Sequence, residues 1–299
     1  MIGMRLKQKV TLLAVAAAGL FFGYVKSQDV PAAALSPVSY SHTVRHDPEM
    51  SLHVVRIALD DPRVSIHVSR GGPDPDGDGP WLTTLLPASE IAEREHFDIA
   101  INGDFFTAKA TQDVEGRNTG YVRGKFAAPE GSAMTEGQLW HRATSPRPFL
   151  EIMAGPSARV AGDQPADLID PTAREVIGGS HVIVRNGQAI LYPTKFALDR
   201  HPRTVVGIAK AGRELVLLVV DGRQPKLSIG MTLAELAQEM IRLGCDSAIN
   251  LDGGGSTTLV YRDPETSKLK VLNSPSDTVE RSVADVLGVR VKTPLPTPK

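Results

Sequence analysis

A mixed α+β fold is what this sequence predicts, on three observations. Short apolar runs of strand-like alternation are interleaved irregularly with helical periodicity. Twenty-seven glycines and twenty-two prolines in 299 residues imply many turns between them. No repeat of fixed period appears, so residues 35–291 read as a single mixed-sheet domain with flanking helices and long polar loops.

Taken in order, residues 35–50 form a polar, proline-punctuated lead-in. Leu52 to Leu59 and Val64 to Val68 alternate as strands, and Asp60-Asp61-Pro62 between them predicts a hairpin turn. Pro87 to Glu95 predicts a short helix with proline in its first turn. Phe97 to Ile101 follows as a buried strand. Residues 107–148 are polar, with Gly116, Gly120, Gly124 and Gly131; a loop of that length either carries function or conceals short strands. A strand opens at Arg147, another at Val182, and Asn186-Gly187 is a strong hairpin signal. Val205 to Ala209 and Glu214 to Val220 are apolar strands. Thr232 and Glu235 have capping-box spacing; Leu233, Leu236, Ala237, Met240 and Ile241 recur at helical spacing, and Gly244 ends the helix. Ala248 to Leu251, Thr257 to Tyr261 and Val283 to Val291 complete the strands.

Composition narrows the function. A formal charge of −1 gives no reason to expect nucleic acid as a partner. The single cysteine, Cys245, excludes an internal disulfide and a cysteine metal cluster. Arg5, Lys7 and Lys9 precede an apolar run from Val10 to Val25, long for a signal sequence and short for a spanning helix. Residues 1–34 therefore fit a signal peptide or an N-terminal membrane anchor, tethered through residues 10–25. Either predicts export of the body to the periplasm or the extracellular side. Residues 292–299 are proline-rich and predict a disordered tail.

The chemistry concentrates where strands end. Ile101 runs into Asn102-Gly103-Asp104-Phe105-Phe106, His201-Pro202-Arg203 leads into a strand, and Val220 runs into Asp221-Gly222-Arg223. Asn250-Leu251-Asp252-Gly253-Gly254-Gly255-Ser256 sets three glycines between an acid and a hydroxyl, where backbone must turn tightly or lie close to something polar. Arginine forks match phosphate, and carboxylates serve at a sugar centre as acid, base or nucleophile. Together they suggest a substrate holding both. Asp74, Asp76 and Asp78 have calcium-loop spacing, but Leu85 stands where a bidentate glutamate is needed, so this stretch reads as an exposed turn and no metal or cofactor is expected.

In order along the chain, I-N-G-D-F-F (101–106), H-P-R-T-V-V-G-I (201–208), D-G-R-Q (221–224), S-I-G-M-T-L-A-E-L-A (228–237), N-L-D-G-G-G-S-T-T (250–258) and N-S-P-S-D (273–277), then Arg281, resemble the phosphodiester glycosidase family over about residues 95–291. Asp104 departs from the pattern, which commonly has a second glycine there. The resemblance implies hydrolysis of a sugar-1-phosphate diester at the sugar C1–O bond, in envelope or exopolysaccharide metabolism, with the active site at strand ends. Phosphate is already a good leaving group, so the larger need is a carboxylate at the oxocarbenium-like centre. Asp252 is the first candidate and Asp221 the second, with His201 assisting proton transfer. Arg203 and Arg223 would clamp phosphate; Asn102, Asp104, Asn250, Gly253, Gly254 and Ser256 would line the substrate. Two other readings stay open: a non-catalytic carbohydrate-binding protein, and a metal-dependent phosphodiesterase.

Overall fold

The computed structural model describes residues 36–110, 120–164, 168–293 and 295–297. Residues 1–34, Gly116 and the last two residues of the tail lie outside them. Strands dominate, and among the described residues every strand pairing is antiparallel. Among the described residues, α-helix is confined to Ala88–Arg94, Lys195–Leu198 and Leu233–Arg242. The mixed α+β expectation is thus weighted heavily towards strands, with several antiparallel sheets and few helices. The reason lies largely in the polar stretch 107–148, which conceals Phe106–Ala108, Phe126–Pro129, Ala133–Thr135 and Gln138–His141, strands too short and polar to show a period.

A seven-stranded sheet runs in the order Val38–Arg45, Met50–Ala58, Glu214–Val220, Arg203–Ala209, Cys245–Asn250, His181–Arg185, Gln188–Ala189. Alternation decides its packing. Leu215, Leu217 and Val219 face one core, while Val216, Leu218 and Val220 face another, closed by Leu236 and Met240 of the helix Leu233–Arg242. A continuous apolar strand is the signature of a sheet covered on both faces. Its first core is shared with a five-stranded sheet, Leu269–Val271, Leu259–Arg262, Ile99–Asn102, Asp285–Val291, Val64–Arg70, through Ile99, Ile101, Leu259 and Leu287. Ala100 and Val286 point the other way, onto Ile91 and Ala92 of the helix Ala88–Arg94. A second five-stranded sheet, from Gln138–His141 to Ala158–Gln164, adds Leu150 and Ile177 to the shared core.

Local signals hold where the chain is self-contained. The capping box forms, with the Thr232 hydroxyl accepting from the Glu235 N–H and the Glu235 carboxylate accepting from the Thr232 N–H. Asn186 and Gly187 both take positive φ in a two-residue hairpin. The hairpin expected at Asp60-Asp61-Pro62 does not form: Met50–Ala58 and Val64–Arg70 belong to different sheets, so this turn is a corner between layers. Asp74 Oδ1 accepts from the N–H groups of Asp76 and Gly77, the geometry of an Asx turn. The segment read as a disordered tail contributes Leu295 to the shared core, and the Pro296 carbonyl accepts from the Tyr261 hydroxyl at 2.8 Å.

Asp221 shows how strand ends are tied together. Buried at the end of Glu214–Val220, its carboxylate accepts from the Ser51 hydroxyl (2.8 Å), the Asn273 amide (3.2 Å) and the Ser274 N–H (2.8 Å), with His53 Nε2 at 3.4 Å. Removing that acceptor strands several buried donors. Asp221→Ala is expected to lose about 3 kcal/mol of stability, a cost typical of breaking a buried network. Urea unfolding measures it; an unchanged midpoint would contradict a structural role.

Candidate active site

Where Arg203–Ala209, Ile99–Asn102 and Cys245–Asn250 end, their polar corners meet around a pocket of about 490 Å³. Asp252, His201, Arg203, Arg223, Gly253 and Gly254 line it, joined by Gly255, Glu130, Arg281 and four aromatic rings. A larger groove, about 850 Å³ beside Arg159 and Arg185, contains none of them; volume alone does not locate the chemistry.

Asp252 is held from behind. Its N–H donates to the Gly103 carbonyl (3.0 Å), its carbonyl accepts from the Asn102 amide (2.8 Å), and its Oδ1 accepts from the Gly253 N–H (2.8 Å). The side chain is partly open to the pocket, yet desolvation pushes its carboxyl up to about 6. Ser256, the Gly253 N–H and Arg281 favour the ionised form, and Glu130 opposes it. Ser256 is fully buried, with its hydroxyl beside that carboxylate but short of hydrogen-bond geometry.

A Cβ at each of the three glycines would meet a neighbour, backbone at Gly253 and side-chain ends at Gly254 and Gly255. A Cβ on Gly253 would stand 2.7 Å from the Pro202 carbonyl, one on Gly254 2.9 Å from the Arg223 guanidinium, and one on Gly255 2.1 Å from that of Arg281. Gly254 also has φ +60°. The turn therefore lies directly against two guanidiniums.

Arg203 is 1% exposed and donates only to carbonyls, those of Met231, Phe196 and Asp199, while stacking on Phe196 at 4.5 Å. Burial, then Arg223, brings its guanidinium down to about 10, so it stays charged at neutral pH. Arg223 sits at φ +59°, a left-handed conformation uncommon for a side chain of its size, and approaches His201 Nδ1 at 3.4 Å. Among the described residues neither arginine has a carboxylate within ion-pair distance. Burial and the two arginines hold His201 below the usual histidine range, hence neutral at neutral pH. If Nδ1 accepts from Arg223, Nε2 carries the proton. Phe105 meets Phe196 edge-on at 6.0 Å and Phe106 meets Tyr121 at 5.8 Å, making apolar walls.

Several expected site residues serve the frame instead. Asn102 is wholly buried: its Oδ1 accepts from the Thr204 hydroxyl (2.7 Å) and the Thr258 N–H (3.1 Å). Asn250 donates to the Ser180 hydroxyl and the Leu251 carbonyl, away from the pocket lining. Asp104 lies under the floor, accepting from the N–H groups of Phe105 and Gly131, and Asp221 is absorbed in its own network. Sequence reasoning overlooked Glu130 and Tyr121, which come from loops without pattern, and Phe196, from the one-turn helix Lys195–Leu198, and gave Arg281 no role. Asp285 left a usable signal, an acid inside the apolar run Val283 to Val291.

A family model for phosphodiester glycosidase matches residues 95–290. A curated relative, the SPbeta prophage-derived uncharacterized protein YomE of Bacillus subtilis, is 36% identical over 90 residues, 30% of this chain and 13% of that protein. The chain thus spans a small part of that relative's length. Three solved structures share the fold. The zebrafish N-acetylglucosamine-1-phosphodiester alpha-N-acetylglucosaminidase catalytic domain, auto-inhibited by pro-peptide, has a TM-score of 0.59 at 22% identity, covering 86% of this chain and 83% of that one. A putative exported protein from Burkholderia pseudomallei has a TM-score of 0.60 at 17% identity, covering 81% and 74%. A hypothetical protein from Synechocystis has a TM-score of 0.54 at 14% identity, covering 85% and 62%. With the family model spanning well over half of its length, the chain belongs to the phosphodiester glycosidase family.

Proposed function

We propose that this chain is an exported hydrolase that cleaves a glycosyl phosphodiester between the sugar C1 and the bridging oxygen, at strand ends of one catalytic domain. One observation carries the reading: two guanidiniums without carboxylate partners line the same pocket as a partly desolvated aspartate. Cations left unneutralised by the protein suit an anionic ligand, and the planar fork suits phosphate.

In this mechanism Arg203 and Arg223 hold the phosphoryl oxygens, and neutral His201 donates its remaining N–H to one of them. The C1–O bond breaks with its electron pair passing to the bridging oxygen, which departs as a phosphomonoester and needs little protonation. Asp252, ionised, faces the electron-poor C1 and stabilises it or takes the proton of the incoming water. Glu130 supplies a second carboxylate on the rim, braced by Arg147 at 2.6 Å. The aromatic walls pack on the apolar faces of the sugar. Export rests on the basic and apolar N-terminal sequence. The zebrafish protein's name makes an N-acetylglucosamine 1-phosphodiester the first substrate to try.

Asp252→Asn is expected to lower turnover of that substrate by on the order of 10²–10⁴-fold. The same change should stabilise the fold at neutral pH. The folded wild type keeps a proton up to about 6 that the unfolded chain releases near the ordinary carboxylate value, so wild-type stability falls as pH rises through that window. The variant escapes this, by up to about 3 kcal/mol. Turnover near wild type, or a lowered melting temperature at pH 8, would count against the assignment. In the wild type, kcat/KM should climb as pH rises through about 6, as Asp252 ionises. A rate profile flat from pH 5 to 7 would contradict this. Arg223→Gln should raise KM about tenfold or more through loss of a charged phosphate contact, with the unfolding midpoint unchanged. Steady-state kinetics beside urea unfolding separates the two.

A further inference from the structure

A second acid lies beneath Asp252. Asp285 opens the strand Asp285–Val291 and is fully buried. Its Oδ1 accepts from the Asp104 N–H at 2.8 Å, while its Oδ2 is buried without a hydrogen-bond partner. Its carbonyl accepts from the Gly103 N–H, and the Gly103 carbonyl accepts from the Asp252 N–H, so a single residue bridges the backbones of the two aspartates. Gly103 has no alternative here: a Cβ would stand 2.2 Å from Asp285 Oδ1.

The surrounding charges do not neutralise Asp285. Asp104, itself buried, and Asp252 are the titratable groups nearest it, and both are acids. Arg70 is its register partner on Val64–Arg70, but that guanidinium turns away to stack on Trp140 at 4.8 Å. The neighbouring strand Ile99–Asn102 brings only Asn102. Arg147 acts on Asp104, and Arg281 and Glu130 act on Asp252. Among the described residues no cation lies within ion-pair distance of Asp285. A buried carboxylate with one empty oxygen and no counter-ion is costly; the neutral acid is far less so.

We infer that Asp285 is a positioning residue that works as the neutral carboxylic acid, so that Asp252 carries the charge of the pocket floor and ionisation of Asp285 closes the active range on the alkaline side. The inference rests on the proposed hydrolysis for its kinetic reading. Burial first, then Asp252, pushes Asp285 up to about 7, and burial together with Asp285 pushes Asp104 up as well. Below that point the floor bears one negative charge beneath two guanidiniums. Above it a second charge appears close enough to interact with the first, and weakens the pull on an anionic substrate.

Asp285→Asn is the test, because the amide oxygen can still accept from the Asp104 N–H while the residue stays neutral at every pH. The expected result is turnover of wild-type order at pH 6, with the alkaline limb of kcat/KM moved upward by at least about one unit, a tenfold change in the protonation ratio. A limb that stays in place, or lost turnover at pH 6 in a folded variant, overturns the inference. If the wild type hydrolyses no glycosyl phosphodiester, the hydrolase reading fails and stability decides instead. Wild-type unfolding free energy should then fall more steeply from pH 4 to 7 than the variant's, and parallel curves overturn it. If Asp285→Asn does not fold, carbon NMR of the wild-type carboxyls decides. Beyond the resonance lost in Asp252→Asn, a buried aspartate should release its proton near pH 7; full ionisation of all aspartates by pH 5 overturns the proposal.

Discussion

One buried amide joins the corners that make this site. Asn102 spends its Nδ2 on the Asp252 carbonyl and its Oδ1 on Thr204 and Thr258, so three chain segments far apart in sequence share a single side chain. Both ends of the amide are committed in a fully buried setting, where an unmet partner costs about 1–3 kcal/mol. The strand Arg203–Ala209 carries Arg203 at its start, and Thr204 follows at once; the turn carrying Asp252 ends in Thr258. Fixing Asn102 therefore fixes the distance between a guanidinium and a carboxylate without either touching the other.

Around this joint the charges are sorted by layer. Acids lie on and beneath the floor, Asp252 above Asp285 and Asp104, while Arg203 and Arg223 stand in the pocket wall. Elsewhere the protein pairs its ions in the ordinary way, as Arg45 with Glu239 or Arg63 with Asp61. Arg203 and Arg223 instead stand in the pocket of Asp252 without a carboxylate partner among the described residues. The triple-glycine turn belongs to the same economy of space, since it brings backbone against the guanidiniums of Arg223 and Arg281.

Much of this was legible in sequence, and the failures have a common cause. The capping box, the Asn186-Gly187 hairpin and the polar strand ends depend on neighbours a few residues away, and they read correctly. Asp60-Asp61-Pro62 carried the same turn chemistry, yet the flanking strands part into separate sheets, a decision taken by remote partners on Glu214–Val220 and Asp285–Val291. Sequence alone makes Asn102 and Asn250 candidate substrate contacts and Asp221 a candidate catalytic acid, because polar residues at strand ends can face either a ligand or each other, and periodicity does not distinguish the two. Glu130 reaches the pocket from a loop, and Phe196 from a helix of one turn, whose paths only the folded chain defines. Family resemblance, carried by six ordered motifs, reached further than residue patterns did, because it draws on the whole chain at once.

The pocket lining runs from Phe105 to Arg281, with contributions near 130, 196, 201, 223 and 252. No helix or hairpin contains enough of it to bind anything alone. The parts of such a site meet only when distant strands have closed their long loops. Partial opening of a sheet edge would scatter the charges before it melted the core. Bound substrate, by holding both arginines to the aspartate's turn, would in return act as a clasp across the sequence, making occupancy and protection from local opening two measures of one event.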